Sequence, residues 1–349
     1  MCGIIAVLGR ERRRAVPSGG PLLARLDAAL ASLPAGGGVL PAAVGGAADA
    51  VAEVDAALRG TAGVLALIAD AALVAALAER ARRLEARIGE IEAALDAAAV
   101  AAGDLEAVNA ALVRLKDATW ALGHDRLRTA VAVRDLAGEA RTEPAVAAYL
   151  WMQIALAAID RLEVRGRDSA GLHVLVEGHG LDLDAPEVAA ALTRRSDPLF
   201  RDGTVRAEGG SLGFVYKAAA EIGELGDNTA ALRAAIRADG LLRRAVGGGG
   251  AQVTVLGHTR WASVGIISEP NAHPLSSDEP GVDRAYVVAA LNGDALAGGA
   301  GLSMTCDLVV MADHARIGYP EALRGLVAAI VMHDLIRLVG ERRARQLLL

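Results

Sequence analysis

From about residue 48 to 160 the apolar side chains recur with a helical period, and this run limits what the chain can fold into more than any other feature. Leu84, Ile88, Ile91 and Leu95 follow one another at spacings of four, three and four, the seam of a packed helix pair. Gly103-Asp104 interrupts the seam, and Asp104 is suited to cap a return helix carrying Leu105, Val108, Leu112 and Leu115. The pattern predicts an antiparallel helical hairpin whose solvated face holds Arg82, Arg83, Glu85, Glu90 and Glu92. Apolar residues make up 53% of the chain but aromatics only 3%, so Ala, Leu and Val must build the core. That mixture favours helix and gives each residue little area to bury. Ala62 to Ala78 is the best candidate for a membrane span, but it is Ala-rich and contains Asp70, so it reads as a bundle helix.

The 349 residues leave room for two or three domains. Residues 2–9 read as a short apolar strand. Residues 10–47 read as loop with a short helix near 21–33, punctuated by Pro34-Ala35-Gly36-Gly37-Gly38. After Gly166 the period shortens, and Leu172–Val176, Leu212–Tyr216 and Val253–Leu256 are strand candidates. A helix between the last two starts near Asn228-Thr229 and ends at Gly240. The run Gly247–Gly250 lacks phosphate-loop spacing. A net charge of −6 with no basic stripe argues against nucleic acid as a partner. Cys2 and Cys306 cannot make a disulfide framework and suit a reducing cytoplasm. The N-terminal apolar run precedes Arg10–Arg14, the reverse of a secretory signal, so a cytoplasmic protein outside the membrane is expected.

Cys2 has two readings. Loss of Met1 would leave its thiol beside a free α-amine of pKa about 7.7–8.0, so one residue could supply nucleophile and proton acceptor. Alternatively it is a small apolar residue starting a strand. Met1-Cys2-Gly3-Ile4-Ile5, Leu162-Glu163-Val164-Arg165-Gly166-Arg167-Asp168-Ser169-Ala170-Gly171, Gly257-His258-Thr259-Arg260-Trp261-Ala262, Asn271-Ala272-His273-Pro274 and Leu291-Asn292-Gly293-Asp294 resemble, in this order, the class II glutamine amidotransferases of the glutamine–fructose-6-phosphate aminotransferase type. The resemblance covers about 1–10 and 150–294, with 11–149 as a helical insert. It implies an α+β fold, an αββα sandwich of the N-terminal-nucleophile hydrolase kind. It also implies a glutaminase half-reaction, L-glutamine to glutamate and ammonia, without a cofactor or metal. Cys2 would be the nucleophile, Asn292 and Gly293 the oxyanion hole, Arg260 the clamp on the substrate α-carboxylate and Trp261 a pocket wall. Where the family has a His shortly after Thr-Arg-Trp this chain has Val264. The isomerase domains of glucosamine-6-phosphate synthase are not expected in it.

From Asn292 onward a second pattern begins. Asn292-Gly293-Asp294-Ala295-Leu296-Ala297-Gly298-Gly299-Ala300-Gly301-Leu302, Cys306-Asp307-Leu308, Ala315-Arg316-Ile317-Gly318-Tyr319-Pro320-Glu321 and Val339-Gly340-Glu341-Arg342-Arg343-Ala344 resemble the crotonase (enoyl-CoA hydratase/isomerase) family over about 286–349. This resemblance implies an acyl-CoA partner, an oxyanion donor at the Gly298 backbone N–H and an acid/base at Glu321. The family's other common Glu falls on Gly301. Asn292-Gly293-Asp294 is legible in both patterns, so the sequence implies a chimera, with a partial crotonase-like αβ segment at 295–349; the alternatives to a glutamine amidotransferase are an enoyl-CoA hydratase/isomerase and a catalytically inert chimera. Oligomeric state is not legible.

Overall fold

The computed structural model describes residues 3–34, 41–97, 102–219, 224–261, 267–275, 288–306, 308–321 and 329–348. Contacts divide the chain into a first unit, Met1–Leu275, and a second, Ser276–Leu349.

The first unit has one antiparallel sheet, in the order β1-β5-β2-β4-β3. Its strands are β1 Gly3–Leu8, β2 Ser169–Glu177, β3 Val205–Glu208, β4 Ser211–Ala218 and β5 Gln252–Arg260. Alternating side chains sort the sheet into two faces. One register row, Val7, Val255, Val174, Phe214 and Val205, crosses all five strands on the core face. Covering that face is the helix Glu143–Leu162, in which Met152, Leu156 and Ile159 are fully buried. It is long and apolar enough by composition to cross a membrane, yet more than half of it is buried here against the sheet and its neighbours. The sequence predicted two facing sheets; the first unit's described residues form one, with helices on its core face, so the four-layer sandwich is not among them. What stands is a mixed α+β architecture.

Helices α1 Gly19–Ser32, α2 Pro41–Ala57, α3 Gly60–Ala69, α4 Ala71–Ala97 and α5 Ala102–Trp120 run into a π-helical turn, Ala121–Leu127, and then α6 Arg128–Ala137. The predicted seam is real: Leu84, Ile88 and Ile91 of α4 and Val108, Leu112 and Leu115 of α5 share a core, with Leu95 packed against it. The hairpin is only part of a larger bundle, because α2 starts at Pro41, within the expected loop, and packs along α5. Proline is favoured at a first helical position because its missing N–H costs nothing there. Asp104 lies inside the first turn of α5 and does not precede it. Asp70 breaks the apolar run 62–78: α3 and α4 meet there at 108°, and the Asp70 carboxylate accepts from Leu73 N–H at 3.0 Å.

After Glu143–Leu162, which is α7, come α8 Pro186–Arg194, α9 Asp227–Ala238 and α10 Gly240–Val246. Gly240 does not end the α9 segment alone. It opens α10, whose cap is Asp239.

The second unit holds two short parallel pairs, β6 Val288–Leu291 with β8 Leu308–Met311 and β7 Ala295–Leu296 with β9 Ile317–Gly318. Between β7 and β8 runs α11 Gly298–Met304; α12 Ala329–Val339 and α13 Glu341–Leu348 follow β9. A Cβ on Gly301 would collide with the Val331 side chain, so glycine is what lets α11 and α12 meet there.

Candidate functional site

In the first unit, strand register gathers motifs that are far apart in sequence. Cys2 lies outside the described residues, as does Val264. The residue after Cys2, Gly3, pairs with Thr259, and its N–H donates to the Thr259 hydroxyl at 3.1 Å. Next along β5, Arg260 pairs with Ser169 of β2, and its carbonyl accepts from Asp168 N–H at 3.2 Å. Gly166 lies so close that a Cβ there would stand 3.0 Å from the Thr259 carbonyl carbon. The blocks at 3–5, 162–171 and 257–261 therefore converge at one end of β1, β5 and β2. Trp261, expected as a pocket wall, is 51% exposed at that end of β5.

The Asn271–Pro274 block joins the outer face of the same sheet. One row there reads Ile4, His258, Gly171 and Lys217 across β1, β5, β2 and β4. Gly171 leaves the gap into which the His273 carbonyl descends; a Cβ would clash with it. The His273 and His258 rings lie 4.2 Å apart, centroid to centroid. Burial, the second ring and Arg260 push His258 down to about 4, and burial followed by Arg260 and Lys217 lowers His273. Both imidazoles are neutral at pH 7. Lys217 is 4% exposed, its ammonium 5.7 Å above the Phe200 ring. Burial lowers it to about 8 against the pull of Glu269, Asp197 and Asp202. Sequence reasoning passed over Lys217, although a lysine inside the apolar run Leu212–Ala218 is itself a signal of unusual burial.

Asn292 and Gly293, the predicted oxyanion hole, belong to the second unit. They form the exposed turn between β6 and β7, where the Asn292 carbonyl meets His314 Nε2 at 3.2 Å. Asp294 closes that turn, its carboxylate accepting from the Arg316 guanidinium at 2.7 Å and from Arg316 backbone N–H at 3.0 Å. The turn is thus held by groups from the β8–β9 connection.

The second pair of predicted residues, Gly298 and Glu321, follows two strands that pair. Leu296 pairs in parallel with Gly318, and Ala297 N–H donates to the Gly318 carbonyl at 2.9 Å. Parallel strands end on the same side, so Gly298 and the Tyr319-Pro320-Glu321 segment leave β7 and β9 together. Ala297, before Gly298, has φ 54°, a conformation rare outside glycine. The Tyr319 hydroxyl reaches the Met304 sulfur at 3.4 Å, fastening this segment to the end of α11. Burial and the nearby Glu321 charge both raise the Tyr319 phenol. One Glu321 carboxylate oxygen, Oε2, is buried with no hydrogen-bond partner among the described residues. Buried acceptors are ordinarily satisfied, so this one is a candidate for chemistry.

The family match falls on this second unit. A model of the Enoyl-CoA hydratase/isomerase family matches residues 283–349. The C-terminal segment is crotonase-like. The protein named "Putative enoyl-CoA hydratase" from Thermus thermophilus is 60% identical over 62 residues, 18% of this chain and 24% of that protein. The mevalonyl-coenzyme A hydratase of Aspergillus fumigatus is 39% identical over 86 residues, 24% of this chain and 32% of its own length. The chain thus spans about a quarter to a third of the curated relatives it matches. No solved structure matches it.

Proposed function

We propose that the crotonase-like segment handles an acyl-CoA thioester, adding water across an enoyl double bond. The supporting observation is the β7–β9 pairing, from which Gly298 and Glu321 depart on one side, Glu321 with an unpartnered buried oxygen. In this reading Glu321 takes a proton from water as the water oxygen bonds to the β-carbon. Electron density moves to the thioester oxygen, where the Gly298 N–H donates a hydrogen bond, and a proton returns to the α-carbon. Gly298 suits this role because the first N–H groups of a helix lack intrahelical acceptors. Gly301, packed against Val331, leaves no space for a second carboxylate, so Glu321 would carry both proton transfers. Crotonyl-CoA hydration by the full chain, followed as loss of the conjugated thioester absorbance, tests this. Glu321→Gln is expected to slow it by about 100-fold or more, and equal rates for both proteins would reject the assignment.

A second reading applies to the first unit: hydrolysis of the L-glutamine side-chain amide by Cys2. It is supported by the register that brings Gly3, Ser169 and Arg260 to one end of three adjacent strands. Here the Cys2 thiolate attacks the amide carbon, ammonia leaves and water releases glutamate from the thioester. Arg260 provides a planar fork suited to the substrate carboxylate. Ammonia release from glutamine, compared with Cys2→Ala, tests this, and an unchanged rate in the variant would sink it.

A further inference from the structure

The bundle presents a helix face that neither reading uses. Toward its core, Val108, Leu112 and Leu115 are buried before the π turn, Leu122 and Leu127 within it, and Ala130 and Val133 after it. On the opposite side, Val113 is 56%, Trp120 52% and Val131 47% exposed. The Trp120 and His124 rings stack there at 4.7 Å and are parallel to within 2°. Exposed Asp117 and Arg128 flank this stack, and among the described residues neither has an ion-pair partner. The outward order along the rod is thus Val113, Asp117, Trp120, the half-buried His124, Arg128, Val131.

Read from the other end, that order has the same character: apolar, charged, ring, ring, oppositely charged, apolar. A face of this kind is complementary to itself about a twofold axis through its middle, the requirement for an isologous contact. We propose that the α5–π–α6 rod is a self-association surface that packs antiparallel on the same rod of a second copy. Val113 lies against the partner's Val131, Asp117 faces the partner's Arg128, and Trp120 stacks near the axis with the partner's His124. Exposed tryptophan is the side chain most often found to anchor interfaces, and the charge pair fixes direction and register. A parallel pairing would set Asp117 against Asp117 and Arg128 against Arg128.

Sedimentation velocity of the full chain across micromolar concentrations tests this. A concentration-dependent dimer is expected, and Trp120→Glu is expected to leave monomer. Asp117→Arg and Arg128→Asp should each weaken association by about tenfold, whereas the double variant should restore it because the partners exchange signs. All three side chains are exposed, so folding should survive, as far-UV circular dichroism would verify. A wild-type chain that stays monomeric, a dimer indifferent to Trp120→Glu, or a double variant no tighter than the singles would each overturn the proposal.

Discussion

Asp239 ties together three parts of the first unit. Its carboxylate accepts from the Arg195 guanidinium at 2.9 and 2.7 Å, from the Tyr216 hydroxyl at 2.7 Å and from Leu242 N–H at 2.9 Å. It thereby joins the end of α8, the middle of β4 and the start of α10. Asp239→Asn keeps the shape but strips the charge from a buried pair, so unfolding in urea should show a loss of about 3 kcal/mol. His258 gives a pH signature of opposite chemistry. The unfolded chain binds its proton near 6.5, whereas the folded chain does so only near 4, so the unfolded state holds more protons between those values. Its contribution is complete above pH 6.5 and is lost as pH falls toward 4. Between pH 7 and 5 the loss should be about 1–2 kcal/mol, and His258→Asn should flatten the slope measured by urea midpoints. Arg260 and His273 stand in recognisable sequence blocks. Asp239 and Lys217 do not, because their roles depend on partners such as Arg195, 44 positions away.

Period alone was enough to locate several elements. Alternation in Leu172–Val176, Leu212–Tyr216 and Val253–Leu256 marks the centres of β2, β4 and β5, and the four-three-four spacing marks the α4–α5 seam. Short β3 has no such run, and α2 lies partly in a Gly- and Pro-rich stretch that reads as loop, so tertiary packing decided both. The π turn was also invisible: Gly123 weakens helical propensity within Ala121–Leu127, but a lone glycine does not signal an extra residue per turn. Its effect is on register. The buried positions step from Leu122 to Leu127, five residues, where a regular helix would step three or four. Deleting Gly123 should remove the extra residue, give a continuous α-helix and keep Leu127, Ala130 and Val133 in the core. The deletion variant is expected to keep its far-UV spectrum and melt within a few degrees of the parent. Loss of the cooperative transition would show that the π turn is required for folding.

On the scale of the whole chain, the two resemblances divided the sequence near Asn292, whereas the contacts divide it after Leu275. Sequence blocks follow ancestry, and contact units follow packing; the turn Asn292-Gly293-Asp294 is claimed by both motifs but packs with Arg316 and His314. The first unit contains both of its hydrophobic clusters, from β1 through β5, so a chain cut after Leu275 should still unfold cooperatively by circular dichroism. The second unit differs in kind. Among the described residues each of its strands, β6 to β9, is paired on one side only. In the language of assembly these are four seeding edges in one short stretch, carrying Val309, Val310 and Met311 exposed beside them. Turbidity on heating should therefore start earlier, and rise further, in the full chain than in the chain ending at Leu275, making the crotonase-like segment the part that a cell's chaperones would have to shield first.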